Sequence, residues 1–320
     1  MRYVRQKLVQ VVIVLLATTF LSVFLMRQVK GADPAIAISG GLVSDPKALE
    51  EIRHKWSLDK PIVVQWGRWV KNMVKGDLGQ SSAFNVSVAD LLRQRVPTTL
   101  YLMLYTQVLS LLIAIPLGVY AAYRPNRLFD RVSSSVAFGL LSVPNFVVAV
   151  VLVLFFSLKF HIFPAQSTYY GLFNNPSEHI RNLLLPTVAN AVGQVAVYMR
   201  LLRADMVTTL QNDFITMARA KGLPSSRILF RHAFRPSTFS LITAAAVNVG
   251  ALIGGVVITE QLFALPGVGK LTVDAIFRRD FLVLQACVAL FAIAFVVVNF
   301  AVDMAYAFID PRIRHARALA

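Results

Sequence analysis

The sequence has a single cysteine, Cys287, in 320 residues. An internal disulfide is therefore excluded, and so is a zinc site built on paired thiolates. Charge is scarce: 15% of residues are Asp, Glu, Lys or Arg, against 57% hydrophobic. Ordinary soluble domains carry about 25% charged residues, so that class is excluded and a multi-span membrane protein is indicated. Acid is scarcer still. Sixteen Asp and Glu face 32 Lys and Arg, a formal net charge of +16. A basic chain invites a nucleic-acid reading. Here the basic residues lie between apolar runs and no nucleic-acid-binding motif is visible, so nucleic acid is not an expected partner. No HExxH, GxSxG or metal-ligand spacing occurs, and His54, His161, His179, His232 and His315 are scattered. The run GVGK at 267–270 is not a phosphate loop. That motif needs glycine at 264 and Ser or Thr at 271, where Ala264 and Leu271 stand.

What is abundant is the long apolar run. Leu8 to Met26 is uncharged and long enough to span, since about 20 helical residues cross the hydrocarbon core. It ends at Met26-Arg27 rather than at a small-residue cleavage site, so it reads as an uncleaved first span. Five more spans are expected: 98–123, 132–160, 183–199, 237–260 and 284–309. The divisions that follow are a tail and first span over 1–26, a polar segment over 27–97, a core over 98–309 and a tail over 310–320. Within the polar segment, Ser44-Asp45-Pro46 predicts a helix start, and Pro61 opens a second helix that Gly76 ends. Its stripe of Ile62, Trp66, Trp69 and Met73 is expected to pack on neighbouring spans.

Six spans place both termini on one side. That side holds sixteen basic residues against five opposite, with the long first loop set aside. Loops beyond about 60 residues translocate largely regardless of charge. Both termini are therefore expected to be cytoplasmic. Polar residues at membrane depth usually face a bundle interior or a wet cavity. Asn145, Asn190, Gln194, Asn248, Asn299 and Asp303 are the candidates for lining a path, with Glu260 a further buried acid. Pro116, Pro144 and Pro186 are candidate kinks. Gly250 and Gly254 form a small-xxx-small pair that permits close helix approach.

One connection stands out, within 204–236. Its centre reads DFITMARAKGLPSSRILFRHAFRP and carries Arg219, Lys221, Arg227, Arg231, His232 and Arg235 between two apolar runs. Such charges at a helix centre cost about 2.5–3.5 kcal/mol each on insertion scales, so it cannot span. The pattern predicts two short helices. Ala218, Arg219, Ala220 and Lys221 favour the first, Gly222 suits a left-handed end, and Pro224 forbids continuation. Ser225 is a candidate N-cap for the second. There Arg227, Arg231 and Arg235 share one face, and Leu229, Phe230, Ala233 and Phe234 form an apolar one. From pattern alone, a solvated basic loop and a helix that docks on another protein both remain open.

The stretch ARAKGLPSSRILFRHAFRP resembles the EAA loop of bacterial ABC-importer permeases, in its peptide-transporter form. The general Glu-Ala opening is absent, Thr216 and Met217 standing there. Three other stretches resemble the same family: KGDLGQSSAFNVSVADLLRQRVPTTLYL, TEQLFALPGVGKL with RRDFLVLQA after it, and VDMAYAFIDPRIR. Together they run from about Leu58 to Arg314. The resemblance implies an all-α, six-span permease subunit in the bacterial inner membrane, contacting lipid and paired with a second homologous permease. It further implies two cytoplasmic ATPase partners that hold ATP and Mg, and an extracytoplasmic substrate-binding protein. The expected cargo is a dipeptide or oligopeptide; nickel or another small solute is the alternative within the family. A secondary transporter is a rival class, but no internal repeat supports it. An intramembrane enzyme would need paired catalytic groups, and Glu260 and Asp303 are expected near opposite membrane faces. The resemblance assigns the ATPase coupling to Ala218, Arg219, Ala220, Lys221, Gly222, Leu223, Arg227, Phe230, Arg231, His232 and Phe234.

Overall fold

In a computed structural model, residues 2–28, 45–55 and 59–309 are described. Within them the chain is helical, with its longer connections at 75–87 and 160–175 and one isolated bridge between Gln80 and Ser87. The helices are α1 (Arg2–Gln28), α2 (Pro46–Lys55), α3 (Ile62–Val74), α4 (Val88–Tyr123), α5 (Leu128–Ser142), α6 (Asn145–Lys159), α7 (Pro176–Leu210), α8 (Asp213–Ala220), α9 (Ser225–Leu262), α10 (Val268–Phe277) and α11 (Phe281–Ile309). Two compact units result, one of residues 1–99 with 266–320 and one of residues 100–265.

The first unit is built on α11. It packs against α1 and α10, while α3 packs on α1. Pro61 sets the start of α3 and Gly76, at φ +84°, follows its end, both as the sequence indicates. Trp66 crosses to α1: its indole N–H donates to Thr19 Oγ1 at 3.1 Å, and its ring meets Phe20 edge-on. Trp69 is buried, so the stripe of α3 is a packing face. The start of α11 is organised by Asp280. Its carboxylate accepts from the Val283 N–H at 3.2 Å, an N-cap bond that satisfies one otherwise orphaned donor. The other oxygen accepts from Ser81 Oγ at 2.5 Å and the Ala83 N–H at 3.1 Å, tying the 81–84 turn to α11. Cys287 lies in the apolar cluster beside it.

The second unit is built on α7, on which α5, α6 and α9 pack. Asn175 caps α7 through the Glu178 N–H, and Pro176 occupies the first turn where its missing donor costs nothing. The helix thus starts seven residues before the span expected from 183. Asn175-Pro176 was the signal. Likewise α4 begins at Val88, ten residues before the span expected from Thr98. His179 is fully buried among Tyr101, Tyr105 and Tyr169. Its Nδ1 lies 2.6 Å from the Tyr170 carbonyl, to which it donates, leaving Nε2 to accept from Tyr105 at 3.0 Å.

Among the described residues, three single helices are long and apolar enough to cross a membrane: α4, α9 and α11. The expected third span is instead a broken pair. Between α5 and α6 the axis turns by 98°. The cause is Pro144, which forces Val143 into extended backbone (φ −96°, ψ 121°) and starts a new helix at Asn145. Pro116 and Pro186 stay inside unbroken helices. Helix α1 carries a shorter apolar stretch, Val12–Phe24, and α7 does not meet the span criterion among the described residues. Fourteen of the 35 residues of α7 are buried against the rest of the chain. Within this chain a close helix approach occurs at Gly118. A Cβ on Gly254 would meet nothing within 4 Å, whereas one on Gly118 of α4 would lie 3.0 Å from the Met199 carbonyl of α7.

Replacing Asp280 with alanine strands the Ser81 hydroxyl and the Ala83 N–H and removes the cap of α11. A loss of about 2–4 kcal/mol is expected. A thermal melt of the purified chain in detergent reads it, and an unchanged melting temperature would remove Asp280 from this role.

Candidate functional site

Two places gather the residues singled out above, both in the second unit. The first is the basic connection. Helix α7 runs on to Leu210, and Asn212 donates to the Thr208 and Thr209 carbonyls, closing its end. Helix α8 follows. Its C-terminus is a Schellman motif: the Gly222 N–H donates to Arg219 O at 2.9 Å and the Leu223 N–H to Ala218 O at 3.2 Å. Gly222 takes φ +73°, the left-handed value anticipated for it. Leu223 then packs against Ala218, beside Ile215 and Ile228. The connection therefore has its own small core, and Ala218 is inside it rather than presented outward.

The second helix departs from expectation. Ser225 is its first residue, not its cap; Pro224 holds the cap position and no side chain caps the end. It is also not a separate short helix. From Ser225 the chain runs unbroken to Leu262, through a π-helical stretch over Ile228–Phe234. Pro236 lies just beyond. Its ring crowds the carbonyl four residues back, and a widened turn gives it room. Arg227, Arg231 and Arg235 are all exposed, as expected for residues that share a face. Arg219, Ala220, Lys221, Gly222, Arg227, Phe230 and Arg231 are exposed, Phe230 by 60%. Leu223, His232 and Phe234 are half-buried, and Phe234 packs on the unit's own core. Phe214 and Met217 on α8 are exposed as well. They were not anticipated, although their three-residue spacing puts them on one face.

An ion pair near this connection also went unforeseen. Asp130, 2% exposed at the start of α5, receives a bidentate contact from Arg203 of α7, Nε to Oδ1 at 2.8 Å and a terminal nitrogen to Oδ2 at 2.7 Å. The Asn126 N–H adds 2.7 Å to Oδ2. Asp130 is the one acid in the basic run RPNRLFDR, which was the available signal. Arg200 stacks over the Phe138 ring at 3.8 Å, a second tie between α5 and α7.

The second place is a cavity of ≈ 220 Å³ at the α5–α6 break. Asn145, Asn190, Gln194 and Asn248 all border it, so four of the six pathway candidates converge. Asn190 Oδ1 accepts from Thr259 Oγ1 at 2.7 Å, while its Nδ2 is buried without a partner. The Tyr198 hydroxyl stands 3.4 Å from Gln194 Oε1 and 3.2 Å from Gln107 Oε1. Asn299 lies on α11 in the other unit and is half-buried. The Asp303 side chain, like residues 310–320, is outside the described residues.

With this geometry in view, the family is decided by sequence. The profile described as binding-protein-dependent transport system inner membrane component matches residues 114–315, and that of its N-terminal part matches residues 1–103. The chain belongs to this family. It is a permease: a transport subunit of the inner membrane, not an enzyme. The oligopeptide transport system permease protein AppB of Bacillus subtilis is 35% identical over 98% of this permease and 99% of its own length. The glutathione transport system permease protein GsiC of Escherichia coli O6:H1 is 31% identical over 98% and 99%. In fold, the permease is similar to a chain of the MetNI methionine ABC transporter in an inward-facing conformation, with TM-score 0.57, 18% identity, and coverage of 69% of this chain and 96% of that one.

Arg203 loses its buried partner in Asp130→Ala. That change is expected to cost about 2–4 kcal/mol, because a largely buried charge is left unpaired. Arg203→Ala leaves the converse orphan. In a thermal melt the double variant should therefore lose less than the sum of the two single losses; strict additivity would show that the pair is not coupled.

Proposed function

We propose that this permease forms, with a second homologous permease subunit, the translocation pathway of an ATP-driven importer for short peptides. The observation that carries it is end-to-end similarity, at 31–35% identity, to permeases named for oligopeptide and for glutathione. On this reading two cytoplasmic partner ATPases hold ATP and Mg, and an extracytoplasmic binding protein delivers the cargo. Six spans cross the membrane: α1, α4, the broken pair, α7, α9 and α11, with both termini cytoplasmic. Helix α7 is then an interior span, shielded from lipid by its neighbours.

The basic connection is the ATPase contact. Phe230 is its apolar anchor, because an exposed aromatic on a stiff helix is what a groove takes up at low entropy cost. Phe214 and Met217 extend the apolar surface. The exposed arginines form the rim, where single charge pairs are worth about 0–1 kcal/mol. Closure of the ATPases moves α8 and the start of α9 together, and α9 carries the motion into the bundle.

Uptake by the complete transporter in proteoliposomes tests the cargo: labelled di- and oligopeptides are expected to enter, and nickel is not. In the same vesicles Gly222→Val should uncouple transport from ATP hydrolysis. Its Cβ would meet no neighbour, so the cost is the left-handed backbone alone, about 1–2 kcal/mol. Gly222→Asn, which tolerates that conformation, should transport better than Gly222→Val; equal activity of the two would show that the backbone at 222 is not the constraint.

Orientation is tested separately in cells, in a Cys287→Ala background. A cysteine at Val86 is expected to react with an impermeant thiol reagent from outside, and one at Arg127, exposed between α4 and α5, only after lysis. The reverse pattern inverts the topology.

A further inference from the structure

The cavity at the α5–α6 break has three properties that together specify a ligand. First, none of its lining residues is ionisable; its polar groups are the carboxamides of Asn145, Asn190, Gln194 and Asn248. Each carboxamide offers both donors and acceptors. Second, it is built around interrupted backbone. The chain is extended at Val143 and Pro144, and α6 begins without a side-chain cap; the Val147 and Val148 N–H groups donate to the Pro144 carbonyl, so the first two N–H groups of the helix, at Asn145 and Phe146, are the ones with no helical acceptor. Non-helical backbone at membrane depth is tolerated where it is buried in protein or lines a wet cavity. Third, one bordering group is held in readiness. Asn190 is 1% exposed, its oxygen is fixed by Thr259, and its Nδ2 has no partner. A buried polar atom left unmatched is costly unless something visits it.

Small residues keep the space open. A Cβ on Gly193 would stand 3.1 Å from Asn145 Oδ1, tighter than ordinary contact. A Cβ on Gly255 would come to 3.9 Å from Asn190 Oδ1.

We propose that this cavity is a substrate subsite that reads the peptide bond itself. The carboxamides accept from a peptide N–H and donate to a peptide carbonyl, without charge and without regard to the side chains. The inference rests on the peptide-importer reading and deepens it. A neutral amide is the class that fits. A bare divalent metal ion would call for carboxylate, imidazole or thiolate ligands, and the lining has none.

The test uses the complete transporter in proteoliposomes, with its binding protein saturated by substrate. Two variants are compared with wild type, Gly193→Ala and Asn248→Leu. Alanine is the better helix former, so Gly193→Ala keeps the helix while crowding the cavity. Uptake of a short peptide is expected to fall about three- to tenfold in each, the effect of losing about one hydrogen bond, while binding-protein-stimulated ATP hydrolysis and the melting temperature hold. A second substrate replaces one peptide bond by an ester. Wild type should import it about three- to tenfold more slowly than the amide, and Asn248→Leu should show little of that difference. If wild type imports peptide and both variants match it, or if the ester penalty is unchanged in Asn248→Leu, the subsite is wrong and the importer reading stands. If wild type carries another solute and no peptide, the importer reading falls and takes the subsite with it. Should Asn248→Leu fail to fold, Gly193→Ala decides the outcome alone.

Discussion

The constraint on which the second unit depends is that polar groups taken out of water must find partners. Helix α7 carries Asn182, Asn190, Tyr198 and Arg203 into contact with its neighbours, where they meet Thr168, Thr259, Gln107 and Asp130. These bonds specify how α7 meets the elements around it. An apolar surface would allow sliding; a bidentate guanidinium contact or a hydroxyl-to-amide bond does not. The carboxamide at 190 is half-matched, and it borders the cavity.

In the first unit the same rule is met by a single carboxylate. Asp280 caps α11 and ties down the turn at 81–84. The motif RRDFLVLQA contains it, so one of the stretches that carries family resemblance has a physical reason to exist. Arg278 lies over the Phe84 ring at 4.9 Å and closes the same corner. Nothing in that corner requires transport chemistry. Its resemblance to the family therefore speaks for fold rather than for cargo.

Much was legible in the sequence because it was local. Gly222, Pro61 and Gly76 each mark a chain position by backbone stereochemistry, and the structure uses them so. What was not legible was decided at a distance. Pro144 breaks its span by 98° and Pro186 does not disturb its helix, though both are prolines in apolar runs. Pro186 is buried with neighbours packed on α7, and those contacts hold the helix together across the missing donor. Asp130 and Arg203 are 73 residues apart, so no window-based reading joins them. The four convergent carboxamides were recognisable as unusual one by one, but only the break at Pro144 brings Asn145 to the other three. The misjudged second helix has a different cause. A short helix and a separate span from 237 were expected, and one helix runs through both, with a π-helical stretch just before Pro236.

That continuous α9 has a mechanical meaning. Its 38 residues make a rod about 57 Å long at 1.5 Å per residue. Tilted by about 10° around its middle, such a rod moves each end by roughly 5 Å, about one helical pitch. A hinge between loop and span would dissipate much of a push applied at Ser225. A rod converts it into displacement at Leu262 with opposite sign. The π-helical stretch lies between Ser225 and the rest of the rod, so its stiffness sets how much of such a push reaches Leu262.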